Sequence, residues 1–234
     1  MALFDLQDRV AIVTGGNGGI GLAMGQGMAQ AGAAVVVAAR DPVKGEAAVA
    51  SLESLGVRSA FIALDVRDEA SCVNLIETVV ADFGRVDVLV NNAGTNDRKQ
   101  PEEYALAEWQ AIIDTNLTSA FMLSQRVYPV MKNAGGGKII NIGSMMSIFG
   151  ASFTVPYASS KGGIVQMTKG MACAWAKDNI QVNAVLPGWI DTTLTREARL
   201  QVDGLHEKVE SRTPAGRWGV PQDLSGIAVF LASA

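Results

Sequence analysis

The sequence predicts an α/β fold, a single-domain doubly wound parallel sheet with helices on both faces. Three observations carry the prediction. Six short apolar runs rich in β-branched residues recur along the chain, helical segments separate them, and a glycine-rich turn joins the first run to the first helical segment. Continuous apolar runs of this length suit strands covered on both faces, as in a parallel sheet. Right-handed crossovers then place helices on either side.

The elements follow in order. "RVAIVTG" (9–15) is the first strand, and a helical stretch runs from about Ile20 to Ala31. "AAVVVAA" (33–39) is the second strand, followed by a helical pattern from about Val43 to Leu55. "SAFIALD" (59–65), "VDVLVNN" (86–92), "KIINIGS" (138–144) and "IQVNAVLP" (180–187) read as the remaining strands. The stretch from Trp189 to about Arg217 breaks the rhythm. It is polar and charged and follows Pro187-Gly188, so it is expected to form a flap over a strand end. No linker, repeat or low-complexity tract interrupts residues 1–234, which read as one domain.

Composition excludes several function classes. The 234 residues are 49% hydrophobic with a formal net charge of −4, enough apolar material for a large core. Without an excess of Lys and Arg, neither nucleic acid nor an anionic membrane is an expected partner. The start, "MALFDLQDRV", has no basic segment followed by an apolar run, so no signal peptide is expected, and no apolar run is long enough to span a bilayer. Cys72 and Cys173 are far apart and lack CxxC spacing, which points to reduced, buried thiols in a cytoplasmic protein. A zinc site or a Ser-His-Asp triad would need partners for the single histidine, His206, that the sequence does not offer, so no metal is expected.

The turn "TGGNGGIG" (14–21) follows the first strand and opens the first helix. Glycines let a backbone approach a pyrophosphate, and the helix start offers free N–H groups and the positive end of a dipole. The alternative is a tight strand-to-helix turn without a ligand. Two spacings are possible: Gly16, Gly18 and Gly21 fit G-x-G-x-x-G, while Gly15, Gly19 and Gly21 fit T-G-x-x-x-G-x-G. Further on, "PYASSKGG" (156–163) places Tyr157 four residues ahead of Lys161, on one face of a helix. Each titrates near ~10 when unperturbed. A lysine ammonium beside a phenol is expected to favour phenolate and bring its pKa toward neutrality.

Taken in order, T-G-x-x-x-G-x-G, "NNAG" (91–94), the Asn in "DTNLTSAF" (114–121), Ser144, Tyr157-x-x-x-Lys161 and "PGWIDT" (187–192) resemble the short-chain dehydrogenase/reductase family over essentially the whole chain. The resemblance implies a Rossmann-like NAD(P)-dependent oxidoreductase with a catalytic tetrad of Asn116, Ser144, Tyr157 and Lys161, and it selects Gly15, Gly19 and Gly21 as the fingerprint. Tyr157 would exchange a proton with the substrate oxygen, and Ser144 would hydrogen-bond the same oxygen. Lys161 would also bind the nicotinamide ribose, and Asn116 would hold a water linking Lys161 to solvent. A helix-bending or capping role competes for Asn116. Further cofactor contacts are implied for Asn17, Ile20, Val66, Asn92, Ala93, Gly94, Pro187, Gly188, Ile190 and Thr192. Asp65, at the end of the third strand, is expected to accept a bond from the adenine amino group, with capping of the helix near Glu69 as its alternative role.

NADP is the expected cofactor and NAD the alternative. Ala39 stands where NAD-using relatives carry aspartate, and Arg40 suits a 2′-phosphate. Asp41-Pro42 is expected to be an N-cap followed by Pro at the first helical position rather than a ribose-binding acid. Gly18 occupies a place where NADP-using relatives often have a second basic residue. "SMMSIFG", "AWAKDNIQVNAVLPGW" and "TPAGRWGVPQDL" are similar to the branch containing gluconate 5-dehydrogenases and 2-deoxy-gluconate 3-dehydrogenases. A sugar acid or related polyol is therefore the expected substrate, with 3-oxoacyl-carrier-protein reductase as the alternative. A nucleotide-binding sensor without turnover is a further alternative of another class. In "TNDRKQ" (95–100), Arg98 is the candidate to grip a substrate carboxylate. A homotetramer is implied by the resemblance. Family members usually continue past "VFLASA" into a last strand, so either the sequence is partial or the sheet lacks that edge strand and its subunit contact.

Overall fold

The computed structural model describes residues 3–234. Six parallel strands form one sheet in the order β3-β2-β1-β4-β5-β6. They are β1 (Val10–Thr14), β2 (Ala34–Ala39), β3 (Ser59–Ala63), β4 (Val88–Asn91), β5 (Gly137–Ile142) and β6 (Ile180–Val185). All six sequence-predicted strands are present, each one to three residues shorter where the chain turns into a loop, though β5 starts one residue earlier than predicted, at Gly137. Among the described residues, nine α-helices connect or flank them: α1 (Gly19–Gln30), α2 (Pro42–Glu53), α3 (Glu69–Phe83), α4 (Leu106–Ile113), α5 (Ser119–Asn133), α6 (Val155–Trp175), α7 (Thr193–Gln201), α8 (Leu205–Arg212) and α9 (Ser225–Ala232).

Period-two alternation splits the core into two layers. Ala11 and Val13 of β1 face α1, α2 and α9, where Met24, Met28, Leu52 and Ala228 are buried. Val10 and Ile12 face the opposite way, into Leu75 and Val79 of α3, Leu123 and Val127 of α5 and Met171 of α6. Both faces are thus covered, which is why the central strands read as unbroken apolar runs rather than alternating ones.

Capping sets the helix starts. Asp41 accepts from the Lys44 N–H at 3.1 Å, and Pro42 stands in the first turn of α2. Asp68 caps α3, accepting from the N–H groups of Ala70 and Ser71. The capping role considered for Asp65 therefore falls to Asp68, three residues later, because the chain turns once more before the helix begins. A second correction concerns the thiols: Cys72 is buried, but Cys173 is exposed, since the outer face of α6 lies away from the sheet. No helix among the described residues is long and apolar enough to cross a membrane.

The strand order reverses between β1 and β4, which opens a crevice at the carboxyl ends of the strands. The excursion after β6 returns to its origin. Ile190 pairs with Gly219, the Gly219 N–H bonds Trp189 O at 2.9 Å, and the Asp191 N–H bonds Gly219 O at 2.8 Å. Between these ends, α7 and α8 bury Ala198, Leu205 and Val209 against Trp218 in a small core of their own.

Candidate active site

A crevice of about 1100 Å³ runs along the carboxyl ends of the strands. Its floor at the switch point is the glycine turn. Gly15 and Gly19 have φ of +62° and +52°, a region that side chains enter only with strain. Gly18 is extended and has open space around its Cα. A Cβ on Gly21 would lie 2.5 Å from Asn92 Nδ2 and 2.6 Å from Gly15 O. A Cβ on Gly16 would also meet Val13 O at 2.9 Å, so the geometry requires glycine at 15, 16, 19 and 21 but not at 18, which favours the T-G-x-x-x-G-x-G spacing.

Two turns are tied together beneath this loop. Asn92 Nδ2 donates to Thr14 O at 2.9 Å and Gly15 O at 3.2 Å, while Thr14 Oγ1 accepts from the N–H groups of Asn92 and Ala93, each at 3.0 Å. The result is a bare backbone cradle at the start of α1, which fits a pyrophosphate. Asn17, Ile20, Arg40, Asp65, Val66, Asn92, Ala93, Gly94, Pro187, Gly188, Ile190 and Thr192 all line the crevice, as do Gly15, Gly19, Ser144, Tyr157 and Lys161. Gly21 and Asn116 stand behind the wall.

At one end of the crevice lie Arg40, Asp41, Lys44, Asp65 and Arg67. The Asp41 carboxylate is occupied as the α2 cap. Asp65 is held by Arg67, whose backbone N–H and Nε donate to Oδ1 at 3.0 and 3.2 Å and whose Nη2 donates to Oδ2 at 3.0 Å. Those hydrogen bonds hold the Asp65 carboxyl at about 2. Sequence reasoning missed Arg67. The Asp-x-Arg spacing, which lets the backbone and the guanidinium reach one carboxylate together, is the signal that would have found it.

At the other end, α6 carries Tyr157 and Lys161 on one face, with the Lys161 Nζ 5.7 Å from the Tyr157 ring centre. Lys161 is only 4% exposed and donates to Ile142 O at 2.7 Å. Burial without a carboxylate partner among the described residues brings its pKa down to about 8. Burial likewise raises the Tyr157 phenol, against smaller opposing effects of the Ser144 hydroxyl and the Arg98 charge. This corrects the expectation that Lys161 lowers the phenol. In the protein alone, desolvation of both groups outweighs their mutual influence.

Ser144 stands two residues past the end of β5 and caps a short 3-10 turn. Its Oγ accepts from the Met146 N–H at 3.1 Å, which leaves its O–H free to donate toward the crevice. Ser147, absent from the sequence-predicted set, bonds the Ser144 N–H through its Oγ and donates to Lys161 O at 2.7 Å, joining the strand end to α6.

Asn116 sits in a single π-turn (Asp114–Thr118) between α4 and α5, 2% exposed. Its Nδ2 donates to Thr95 O at 2.9 Å and Ser160 Oγ at 3.0 Å, and its Oδ1 accepts from the Thr95 N–H at 2.8 Å. Both amide hydrogens are spent, so of this side chain only a lone pair on Oδ1 remains for a further partner. The side chain pins the loop after β4 to α6.

Arg98 lies outside the crevice wall. Nη1 donates to Gln201 Oε1 at 3.0 Å and Nη2 to Leu194 O at 3.2 Å, so the guanidinium joins the loop after β4 to α7. Burial lowers its pKa, while its charge acts on Tyr157.

Comparison with known proteins agrees with this geometry. Residues 9–203 match the family described as short chain dehydrogenase. The chain is 40% identical over 231 residues to 2-dehydro-3-deoxy-D-gluconate 5-dehydrogenase of Dickeya dadantii, covering 98% of this chain and 90% of that one. It is 36% identical over 231 residues to gluconate 5-dehydrogenase of Gluconobacter oxydans, covering 99% and 90%. The crystal structure of a gluconate 5-dehydrogenase from Burkholderia cenocepacia in complex with NADP and tartrate superposes with a TM-score of 0.93 at 37% identity, covering 99% and 90%. With the glycine cradle at the switch point and Ser144, Tyr157 and Lys161 at its inner end, the chain belongs to the short-chain dehydrogenase family of NAD(P)-dependent oxidoreductases.

Proposed function

We propose that the protein interconverts a secondary alcohol and a ketone of a sugar acid, using NADP, with Asn116, Ser144, Tyr157 and Lys161 as the catalytic set. The observation that carries this reading is the meeting of Ser144, Tyr157 and Lys161 at the inner end of a crevice whose outer end bears Arg40. NADP, when bound, supplies or accepts the hydride. The substrate oxygen rests between the Ser144 hydroxyl, whose acceptor side is already held by Met146, and the Tyr157 phenol. Tyr157 donates its proton to the oxygen as an alkoxide develops, or takes it in the reverse direction. Lys161, seated on Ile142 O, keeps two N–H bonds for a ribose and offers positive charge to the phenolate that forms. Asn116 holds the loop after β4 against α6, which keeps the crevice wall in register with Tyr157.

Three further points support the finer reading. Ala39 presents no acid to the ribose, the Asp41 carboxylate caps α2, and Arg40 has no carboxylate within ion-pair distance among the described residues. NADP in the Burkholderia cenocepacia relative points the same way, and the gluconate-type names of the relatives suggest a polyhydroxy acid. Arg98, close enough to Tyr157 to act on it, is the side chain that would receive the carboxylate. The exposed Phe121 on α5 and Ile227 and Phe230 on α9 supply apolar faces suited to a homotetramer.

The test is a turnover screen with NADP and NAD over sugar acids, polyols, cyclic ketones and 3-oxoacyl thioesters. The reading expects NADP-dependent turnover of a sugar acid above all others. Preference for thioesters, or for NAD, overturns the corresponding half.

A further inference from the structure

In the proposed reading Arg40 is the one cation assigned to the 2′-phosphate, because Gly18 provides no second cation from the glycine turn. The structure shows where the balance is made up. Asp65 lies on the wall at the same end of the crevice as Ala39 and Arg40, and a bare carboxylate there would repel a 2′-phosphate. Arg67 removes that charge. Its planar fork takes both oxygens of Asp65, at 3.2 Å from Nε and 3.0 Å from Nη2, and its backbone N–H adds a third bond at 3.0 Å. Three bonds from a residue only two positions away cost little extra ordering, since the turn that brings the N–H to Oδ1 also aims the side chain.

The remaining charges at this end are accounted for. Lys44 Nζ is 3.8 Å from Asp41, so that pair is neutral in sum, and Arg40 adds its own field at Asp65. Asp114 acts weakly on Arg67 from the π-turn. With Asp65 neutralised, the end of the crevice keeps one uncompensated positive charge, Arg40. Without Arg67, an uncompensated carboxylate would cancel it.

We propose that Arg67 is a second cofactor-selecting residue, acting through Asp65 by neutralising it so that the Arg40 charge is available to a 2′-phosphorylated ribose. Arg67 is in this sense a positioning residue for charge, and the inference rests on the NADP reading above.

The experiment measures the Kd values of NADP, NAD and 2′,5′-ADP by calorimetry, at low and high salt, for the wild type and for Arg67→Ala, Asp65→Asn and the double variant. The last probe lacks nicotinamide, so it reports the adenosine end without the catalytic site. Arg67→Ala is expected to weaken NADP and 2′,5′-ADP about three- to tenfold while NAD changes by less than about twofold, as for one carboxylate repelling a phosphate across a wet site. The loss should shrink at high salt. In the Asp65→Asn background, Arg67→Ala should leave the NADP-to-NAD ratio nearly unchanged, because no carboxylate remains to neutralise. Equal weakening of both cofactors, a salt-independent loss, or a ratio change that persists in the Asp65→Asn background overturns the inference while the NADP reading stands. A wild type that binds NAD more tightly overturns both.

Discussion

Gly21 offers the sharpest test of how the cofactor cradle is built. A methyl group there would meet Asn92 Nδ2 at 2.5 Å and Gly15 O at 2.6 Å, both well inside contact distance. The first of these is the end of a side chain, yet it cannot swing away freely, because it donates to Thr14 O at 2.9 Å and Gly15 O at 3.2 Å. Gly21→Ala must therefore break both bonds or push the Gly15 peptide out of its left-handed conformation. Losing two part-buried hydrogen bonds costs about 1–3 kcal/mol and the overpacking a comparable amount, so a total of roughly 2–6 kcal/mol is expected. For a chain of this size that is a fall in Tm of roughly 5–20 °C. Cofactor affinity should fall at the same time, since the displaced Gly15 and Asn92 both line the crevice. Gly18→Ala is the control: its backbone is extended and nothing lies within 4 Å of the added carbon. Thermal unfolding and cofactor titration of both variants decide the matter. If Gly21→Ala matched the wild type, or Gly18→Ala were as damaging, the assignment of glycines 15, 19 and 21 to the cradle would be refuted.

The other expectations concern the chemistry and its charges. Tyr157→Phe should lower kcat by roughly 10²–10⁴ and leave the Kd of NADP within about twofold, because only the transferable proton is removed; retained activity with the native pH profile would remove Tyr157 from its role. Arg98→Ala should cost about ten- to a hundredfold in kcat/KM for an acidic substrate and much less for its neutral analogue. Equal losses would reduce Arg98 to the link it already makes with Gln201 and Leu194. Burial moves Lys161 from 10.5 to about 8, so the folded chain holds this proton less tightly than the unfolded chain. The cost to folding is then full below about pH 8 and fades as the pH rises toward 10.5. Lys161→Met should accordingly gain stability over the wild type by on the order of 3 kcal/mol at pH 7 and by much less near pH 10. A gain independent of pH in denaturant titrations would contradict the depressed pKa.

The sequence by itself determined the sheet and its crevice, because the signals for both are local. Unbroken apolar runs such as "AVVVAA" mark strands covered on both faces, Asp41-Pro42 marks a helix start, and a Tyr-x-x-x-Lys spacing puts two side chains on one face whatever surrounds them. The glycine turn was legible as a turn. The choice between its two spacings came from the resemblance at first, and in physical terms from the positive φ of Gly15 and Gly19 and the open space around Gly18, since Gly21 belongs to both.

Only the tertiary structure decided what each polar group is bonded to and how far it is removed from water. Asn116 is committed to Thr95 and Ser160, Arg98 to α7, and Asp65 to Arg67 rather than to the helix it precedes. The Tyr157 phenol rises instead of falling, and Cys173 points outward while Cys72 is enclosed. These outcomes share one physical reason. A hydrogen bond or a pKa depends on which atoms the fold brings within about 3–6 Å and on the water it removes. Partners such as Asn91 and Asn141, or Asn116 and Ser160, lie 50 and 44 residues apart and meet only after the sheet has formed.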